Sequence, residues 1–226
     1  MSSPALVIFD MAGTTIEDRG EVPTAFAATL SDHGIAITPD EITRVRGASK
    51  RQAIRDLLHQ SATEAGRDDA SSRSRAEQIY TDFRRKLSAA YTAGGVRAVP
   101  GATSAFYNLR ARGIKVALTT GFDRDIATLL LSSLDWTRNT VDAVVCGDDV
   151  ANGRPAPDMI VLAMKLTVVT DPATIANVGD TTLDLESGAR AGVKWNVGVL
   201  SGAHAREALE GAPHTQIIES VAALRF

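Results

Sequence analysis

The sequence predicts an α/β protein: a doubly wound parallel sheet with a helical cap domain inserted after its first strand. Two observations carry this expectation. Short apolar runs recur along the chain, each ending in glycine, hydroxyl or acid, with stretches of helical period between them. Residues 17–98 interrupt that alternation with helical patterns and no strand. The expected division is a core of 1–16 and 99–226 and a cap of 17–98.

Taken in order, "ALVIF" at 5–9 is short and apolar throughout, as a strand buried on both faces should be, and it ends at Asp10. "RGIKVALTTG" at 112–121 repeats the theme as a helix tail, a glycine, a strand, then hydroxyls and a glycine. "VDAVVCGDD", "ATIANVGDTTLD" and "VKWNVGVLSG" come after it, with helical patterns at 101–112, 123–134, 157–166 and 181–191. "APHTQIIESVAALRF" reads as a last strand and helix closing the sheet. In the cap, helical patterns fall at 23–33, 39–45, 49–60 and 72–93. The Ser-, Asp- and Arg-rich stretch 59–75 reads as a helix–helix connection with a mobile tip.

Composition excludes several classes of function. A chain of 226 residues, 44% hydrophobic and 23% charged, can bury a full core. Its 24 Lys and Arg are scattered and outnumbered by 27 acids, so no nucleic-acid footprint is expected. No apolar run is long enough to span a bilayer. "MSSPALVIFD" has neither a charged n-region nor a cleavage-site pattern, so no secretory signal is expected. The single cysteine, Cys146, excludes an internal disulfide framework and suits a reducing, cytoplasmic setting. His33, His59, His204 and His214 show no metal spacing and read as surface or core residues; Trp136 and Trp195 read as packing residues.

Polar chemistry gathers just after the strands' carboxyl ends, where open α/β sheets bind ligands. Asp10 can attack an electrophilic phosphorus while backbone N–H groups of the small residues after it, Ala12 and Gly13, hold the phosphoryl oxygens. Taken alone it is equally a turn or N-cap aspartate. Thr119, Thr120 and Gly121 make a phosphate clamp or a helix N-cap. Arg154 in "NGRPAPD" has a fork that can grip a phosphoryl group. Asp180 and Asp184 in "VGDTTLD" join Asp10 in an oxygen-only set suited to Mg²⁺, or else serve a helix dipole. Each motif is weak alone; the four in this order, each after a strand, are not.

The series "FDMAGTT", "LTTG", "GRPAP" and "GDTTLD" resembles the four motifs of the haloacid dehalogenase superfamily, with its Rossmann-like core and a cap inserted after the first strand. The resemblance implies that Asp10 is the nucleophile and that Thr120, Gly121 and Arg154 bind the transferred group. It further implies a Mg²⁺ site drawn from Asp10, Ala12 and Asp180, with Asp184 supporting the metal.

Superfamily phosphatases carry a second aspartate two residues after the nucleophile to protonate the leaving alkoxide; here that position is Ala12. Loss of a positioned general acid costs roughly 10²–10⁴-fold in rate. The "D-x-A-G-T-T" form with "GRP" resembles the phosphonoacetaldehyde hydrolases (phosphonatases), in which a cap lysine forms a Schiff base and draws off the electrons of the carbon–phosphorus bond. That resemblance implies a phosphonate substrate and, by analogy, a homodimer through the cap. It assigns the lysine to Lys50 in "RVRGASKRQAI", three residues after Gly47. Ser49 is placed to cap the helix that Lys50 begins. Cap closure is expected to exclude water. Three positions depart from the phosphonatase pattern: Ala53 and Phe122 stand where it has histidine and tyrosine, and Arg46 where it has a bulky apolar residue. If Arg46 faces the substrate, it can meet an additional anionic group. The competing readings are a phosphomonoesterase using another acid, a dehalogenase, and a phosphate-binding protein without turnover.

Overall fold

The computed structural model describes residues 3–65 and 69–226, which divide into two compact units, 1–18 with 96–226 and 19–95. The first unit is the expected sheet. Its strands are β1 Leu6–Asp10, β2 Lys115–Thr119, β3 Ala143–Val145, β4 Ile175–Gly179, β5 Trp195–Val199 and β6 Gln216–Ile218. They lie in the order β3-β2-β1-β4-β5-β6 and every pairing is parallel. The chain winds outward from β1 through β2 to β3, then returns to β1's other side with β4. The topological switch point therefore falls between β1 and β4, beside Asp10 and Asp180.

Helices cover both faces of this sheet, as the unbroken apolar strands require. They are α5 Ala102–Ala111, α6 Arg124–Ser133, α7 Asp158–Thr167, α8 Thr182–Ala191 and a short α9 Arg206–Glu210. On one face Leu6, Ile8, Ala117, Val145 and Ile175 pack with Met159, Ile160 and Ala163 of α7. Elsewhere in the core Phe9, Phe106 and Trp136 stack in series, with ring centroids 5.3 and 5.0 Å apart. Trp136 also donates through Nε1 to Thr103 Oγ1 at 3.1 Å. After β6 the chain forms only a 3-10 turn, Val221–Ala223, in place of the expected closing helix.

The second unit holds α1 Glu21–Asp32, α2 Pro39–Arg44, α3 Lys50–Ala65 and α4 Asp69–Gly94. Phe26 and Leu30 of α1, Ile54 and Leu58 of α3, and Ile79, Phe83, Leu87 and Tyr91 of α4 are all buried. Phe26 and Phe83 meet edge to face at 5.7 Å. Both α3 and α4 run further than the sequence pattern suggests, leaving the tip of the expected connection at 66–68, outside the described residues. No helix among the described residues is long and apolar enough to cross a membrane.

The unit boundary differs from 16/17 and 98/99 for a backbone reason. Ile16 pairs antiparallel with Ala98, the Glu17 N–H donates to Arg97 O at 2.9 Å and the Val99 N–H to Thr15 O at 2.9 Å. Both crossing segments are thus tied to each other as part of the α/β unit. Because Phe106 is fully buried between Phe9 and Trp136, Phe106→Ala should cost about 3–5 kcal/mol of stability. Urea unfolding of the variant beside the wild type measures it.

Candidate active site

β1 delivers Asp10 opposite Thr119 of β2, in register. The chain then turns so tightly that the N–H groups of Thr14, Thr15 and Ile16 all converge on Met11 O, while the Gly13 N–H donates to Ile16 O at 2.7 Å. Thr15 Oγ1 closes the turn onto Asp10 O at 2.9 Å. Gly13 has φ +96°, and a Cβ there would lie 2.4 Å from Asp180 Oδ2, so both backbone conformation and space demand glycine.

β4 ends at Gly179, and Asp180 comes next. Its Oδ1 accepts from Thr14 Oγ1 at 2.9 Å and its Oδ2 from the Ala203 N–H at 2.6 Å. The N-cap of α8 is Thr181, whose hydroxyl and N–H bond Asp184 Oδ2 at 2.6 and 3.1 Å in a capping box. Asp184 Oδ1 is left to meet Arg154 Nε at 2.7 Å.

Arg154 arrives from the loop between β3 and α7 and is buried. Its Nη1 donates to Asp10 Oδ1 at 2.7 Å and its Nη2 to Thr119 Oγ1 at 2.7 Å. One guanidinium therefore ties together the ends of β1 and β2 and the first turn of α8. The Ser187 hydroxyl, donating to Ala156 O at 2.8 Å, anchors the arginine's loop to α8.

The electrostatics arise from three buried carboxylates facing one buried guanidinium. Burial pushes Asp10 well above the usual carboxylate range; Arg154 pulls it back, and Asp184 and Asp180 add to the rise. Burial, then Asp184, push Asp180 up to about 6, against the bonds from Ala203 and Thr14. Burial works against the charge on Arg154, but Asp184 and Asp10 outweigh it and raise its pKa.

Thr120 is also buried, but its hydroxyl accepts from the Phe122 N–H at 3.2 Å, and the N-cap of α6 is Asp123. Thr119 is the hydroxyl that Arg154 reaches. Gly121 lies against Gly147, where a Cβ would come within 2.8 Å of Gly121 O. In the helical unit, Lys50 is only 4% exposed, and its Nζ donates to Val45 O at 2.8 Å and Ala48 O at 3.1 Å. Between those carbonyls lies Gly47 at φ +80°, and Ser49 Oγ accepts from the Gln52 N–H at 3.4 Å. Lys50 is thus not a solvated surface lysine. Ala53 and Phe122 are both buried, and Arg46 is half-buried.

The loop after β5 is the part of the site that sequence reasoning missed. Ser201 Oγ donates to Gly13 O at 2.8 Å, and a Cβ on Gly202 would lie 2.1 Å from Asp180 Oδ2. The His204 N–H donates to Asp180 O at 3.2 Å, and its Nδ1 accepts from the Thr182 N–H at 3.1 Å. His204 therefore stands at the site, not away from it as surface or core. Only the glycine and hydroxyl closing "GVLSG" hinted at this loop.

A divalent cation suits this donor set. Carboxylates outnumber the guanidinium in a buried site, and Gly13 and Gly202 put no side chain of their own against Asp180. Among the described residues no group of three or more His, Cys, Asp or Glu side chains is arranged to hold a metal. Mg²⁺ is ordinarily bound through one or two carboxylates and keeps places for phosphate and water. Asp10, Asp180 and the backbone of Ala12 are the fitting groups. Asp184 holds Arg154 through Oδ1 and caps α8 through Oδ2, and Asp180 likewise has a protein donor on each oxygen, Thr14 Oγ1 and the Ala203 N–H.

A doubly wound sheet with an aspartate ending the strand at the switch point, an inserted helical unit and acids after the fourth strand point to a hydrolase class. Residues 7–197 match the haloacid dehalogenase-like hydrolase family, and the chain belongs to it. Among its relatives, phosphonoacetaldehyde hydrolase of Bacillus cereus is 31% identical, over 97% of this chain and 86% of that protein. The protein of the same name from Paraburkholderia xenovorans is 31% identical, over 91% and 78%. The solved structure of a phosphonoacetaldehyde hydrolase-like protein from Oleispira antarctica superposes with a TM-score of 0.82 at 25% identity, covering 98% of this chain and 90% of that one.

The raised carboxylate of Asp180 gives a test with a definite sign. An acid whose folded pKa lies above its unfolded value takes up protons on folding, so stability falls as pH rises from about 4 to about 6. Asp180→Asn, without metal, should therefore be more stable than the wild type at pH 7.5, by on the order of 2 kcal/mol. The gap should close as pH falls through that window, as thermal melts in EDTA read directly.

Proposed function

We propose that the protein is a Mg²⁺-dependent hydrolase that cleaves the carbon–phosphorus bond of phosphonoacetaldehyde or a related 2-oxoalkylphosphonate. One observation carries the reading: beside Asp10 stands Ala12, in a site otherwise furnished for phosphoryl transfer. A phosphate ester departs as an alkoxide and needs a proton from that position. A carbon leaving group conjugated to an iminium does not.

In this reading the Lys50 amine condenses with the substrate carbonyl and releases water. Asp10 attacks phosphorus, and the electrons of the breaking carbon–phosphorus bond pass into the iminium to leave an enamine. The enamine takes up a proton and hydrolyses, returning Lys50 and the aldehyde. Water cleaves the aspartyl-phosphate to give orthophosphate. The Arg154 fork, already beside Asp10, offers its charge to the phosphoryl oxygens, and the backbone N–H of Ala12 helps orient them, those of Gly13 and Thr14 being engaged within the turn. Mg²⁺ held by Asp10, Asp180 and the Ala12 backbone supplies further positive charge there when bound. The relatives named phosphonoacetaldehyde hydrolase support the substrate class.

Borohydride added during turnover of phosphonoacetaldehyde should leave a stable adduct on Lys50, identified by peptide mass, and Lys50→Arg should abolish it. Phosphate release should vanish in Asp10→Asn and with EDTA, returning with Mg²⁺. Phosphate release from phosphomonoesters with no trapped adduct would instead make the protein a phosphatase.

A further inference from the structure

Two asparagines occupy positions where the strand pattern favours apolar side chains. Asn177 and Asn196 face each other in register on β4 and β5, and both are buried. Asn177 Nδ2 donates to Asp184 O at 3.0 Å and to Asn196 Oδ1 at 3.1 Å. Asn196 Nδ2 donates to Leu185 O and Pro213 O, both at 2.6 Å. Every amide hydrogen of the pair has an acceptor.

α8 comes down directly onto these amides. A Cβ on Gly188 would lie 2.2 Å from Asn196 Oδ1 and 2.8 Å from Asn177 Nδ2. Near the helix start, a Cβ on Gly179 would lie 2.2 Å from Asp184 Cβ. Two glycines, one on the strand and one on the helix, let α8 approach β4 and β5 closely at the amides.

Buried amides cost stability unless every hydrogen bond is made, and a shape-matched apolar pair would serve the core as well. What an apolar pair lacks is direction. Hydrogen bonds fix a helix against sliding and rotation, whereas hydrophobic contact does not specify orientation. The helix carbonyl held by Asn177 belongs to Asp184, the residue that meets Arg154 Nε.

We infer that Asn177 and Asn196 are positioning residues: their amide ladder sets the backbone of Asp184, and through it the Arg154 fork that addresses Asp10. The kinetic consequence rests on the phosphonate-cleaving reading; the structural consequence does not. Asn177→Leu and Asn196→Leu remove the donors at similar volume. In ¹⁵N-labelled protein the Arg154 Nε–H resonance, assigned by its loss in Arg154→Lys, should shift and exchange faster with water in both variants. On phosphonoacetaldehyde kcat should fall roughly 10–100-fold, as expected for displacement of a charged group by less than about 1 Å. KM should stay within about threefold.

An unmoved Arg154 signal overturns the inference, whatever happens to activity, because the amides are then merely structural. An unchanged kcat with a moved signal overturns it too. Should a leucine variant not fold, Asn177→Ala, which leaves room for water, takes its place in the same measurements. If the wild type releases no phosphate from phosphonoacetaldehyde, the proposed reaction fails while the Arg154 resonance still decides the positioning role.

Discussion

The site depends on a single buried guanidinium. Arg154 bonds Asp10, Thr119 and Asp184 at once, so three loops that leave different strands are held to one point. A lysine has three donors on one nitrogen, whereas the guanidinium spreads its donors over three nitrogens in a plane and meets a different partner with each. The pairing is also conditional. Remove the arginine and two carboxylates are left buried without a counter-charge, a far larger penalty than the pair's net contribution to stability. The loop 146–157 therefore has to be built accurately, and its other bonds, from Asn152 to Asp158 and from Ser187 to Ala156, serve that accuracy.

Even with Arg154 in place, the site is short of positive charge. Burial first, and then the neighbouring carboxylates, raise the proton affinity of Asp10 and Asp180. A divalent cation relieves both groups together, since it competes with protons for the same oxygens. Three ionised carboxylates, one guanidinium and one divalent cation would sum to zero.

Much of this was legible because parallel strands announce themselves. Each buried strand is a short apolar run, and the residues just beyond its end must lie at the sheet's carboxyl edge. Asp10, Thr119, Arg154, Asp180 and Asp184 could therefore be grouped without knowing a distance. Their division of labour could not. Thr119 and Thr120 are adjacent, and only the register of β1 with β2 decides that Thr119 meets the arginine. Asp184 reads in the sequence as an acid supporting a metal, and only the structure adds that its oxygens engage Thr181 and Arg154. The 201–204 loop escaped notice because its contributions to Asp180 and Gly13 are largely backbone groups and small side chains, which leave no signature. The Asn177–Asn196 ladder escaped for the opposite reason: amides inside apolar runs read as interruptions until strand register sets them side by side.

Ala12 sits in a turn whose geometry is specified by other residues: Gly13 by its φ, Thr15 by its bond to Asp10 O, Met11 O by three converging N–H groups. The turn therefore does not depend on the side chain at position 12, and under the proposed reaction its identity concerns the leaving group more than folding. Lys50 is the complementary case. Its ammonium is sheltered from water and donates to the Val45 and Ala48 carbonyls. To condense with a carbonyl it must leave those acceptors and lose a proton. Under the proposed reaction, then, the acid missing beside the nucleophile and the lysine stored on the Gly47 turn are two parts of one solution, in which the electron sink is formed only when substrate draws the amine out.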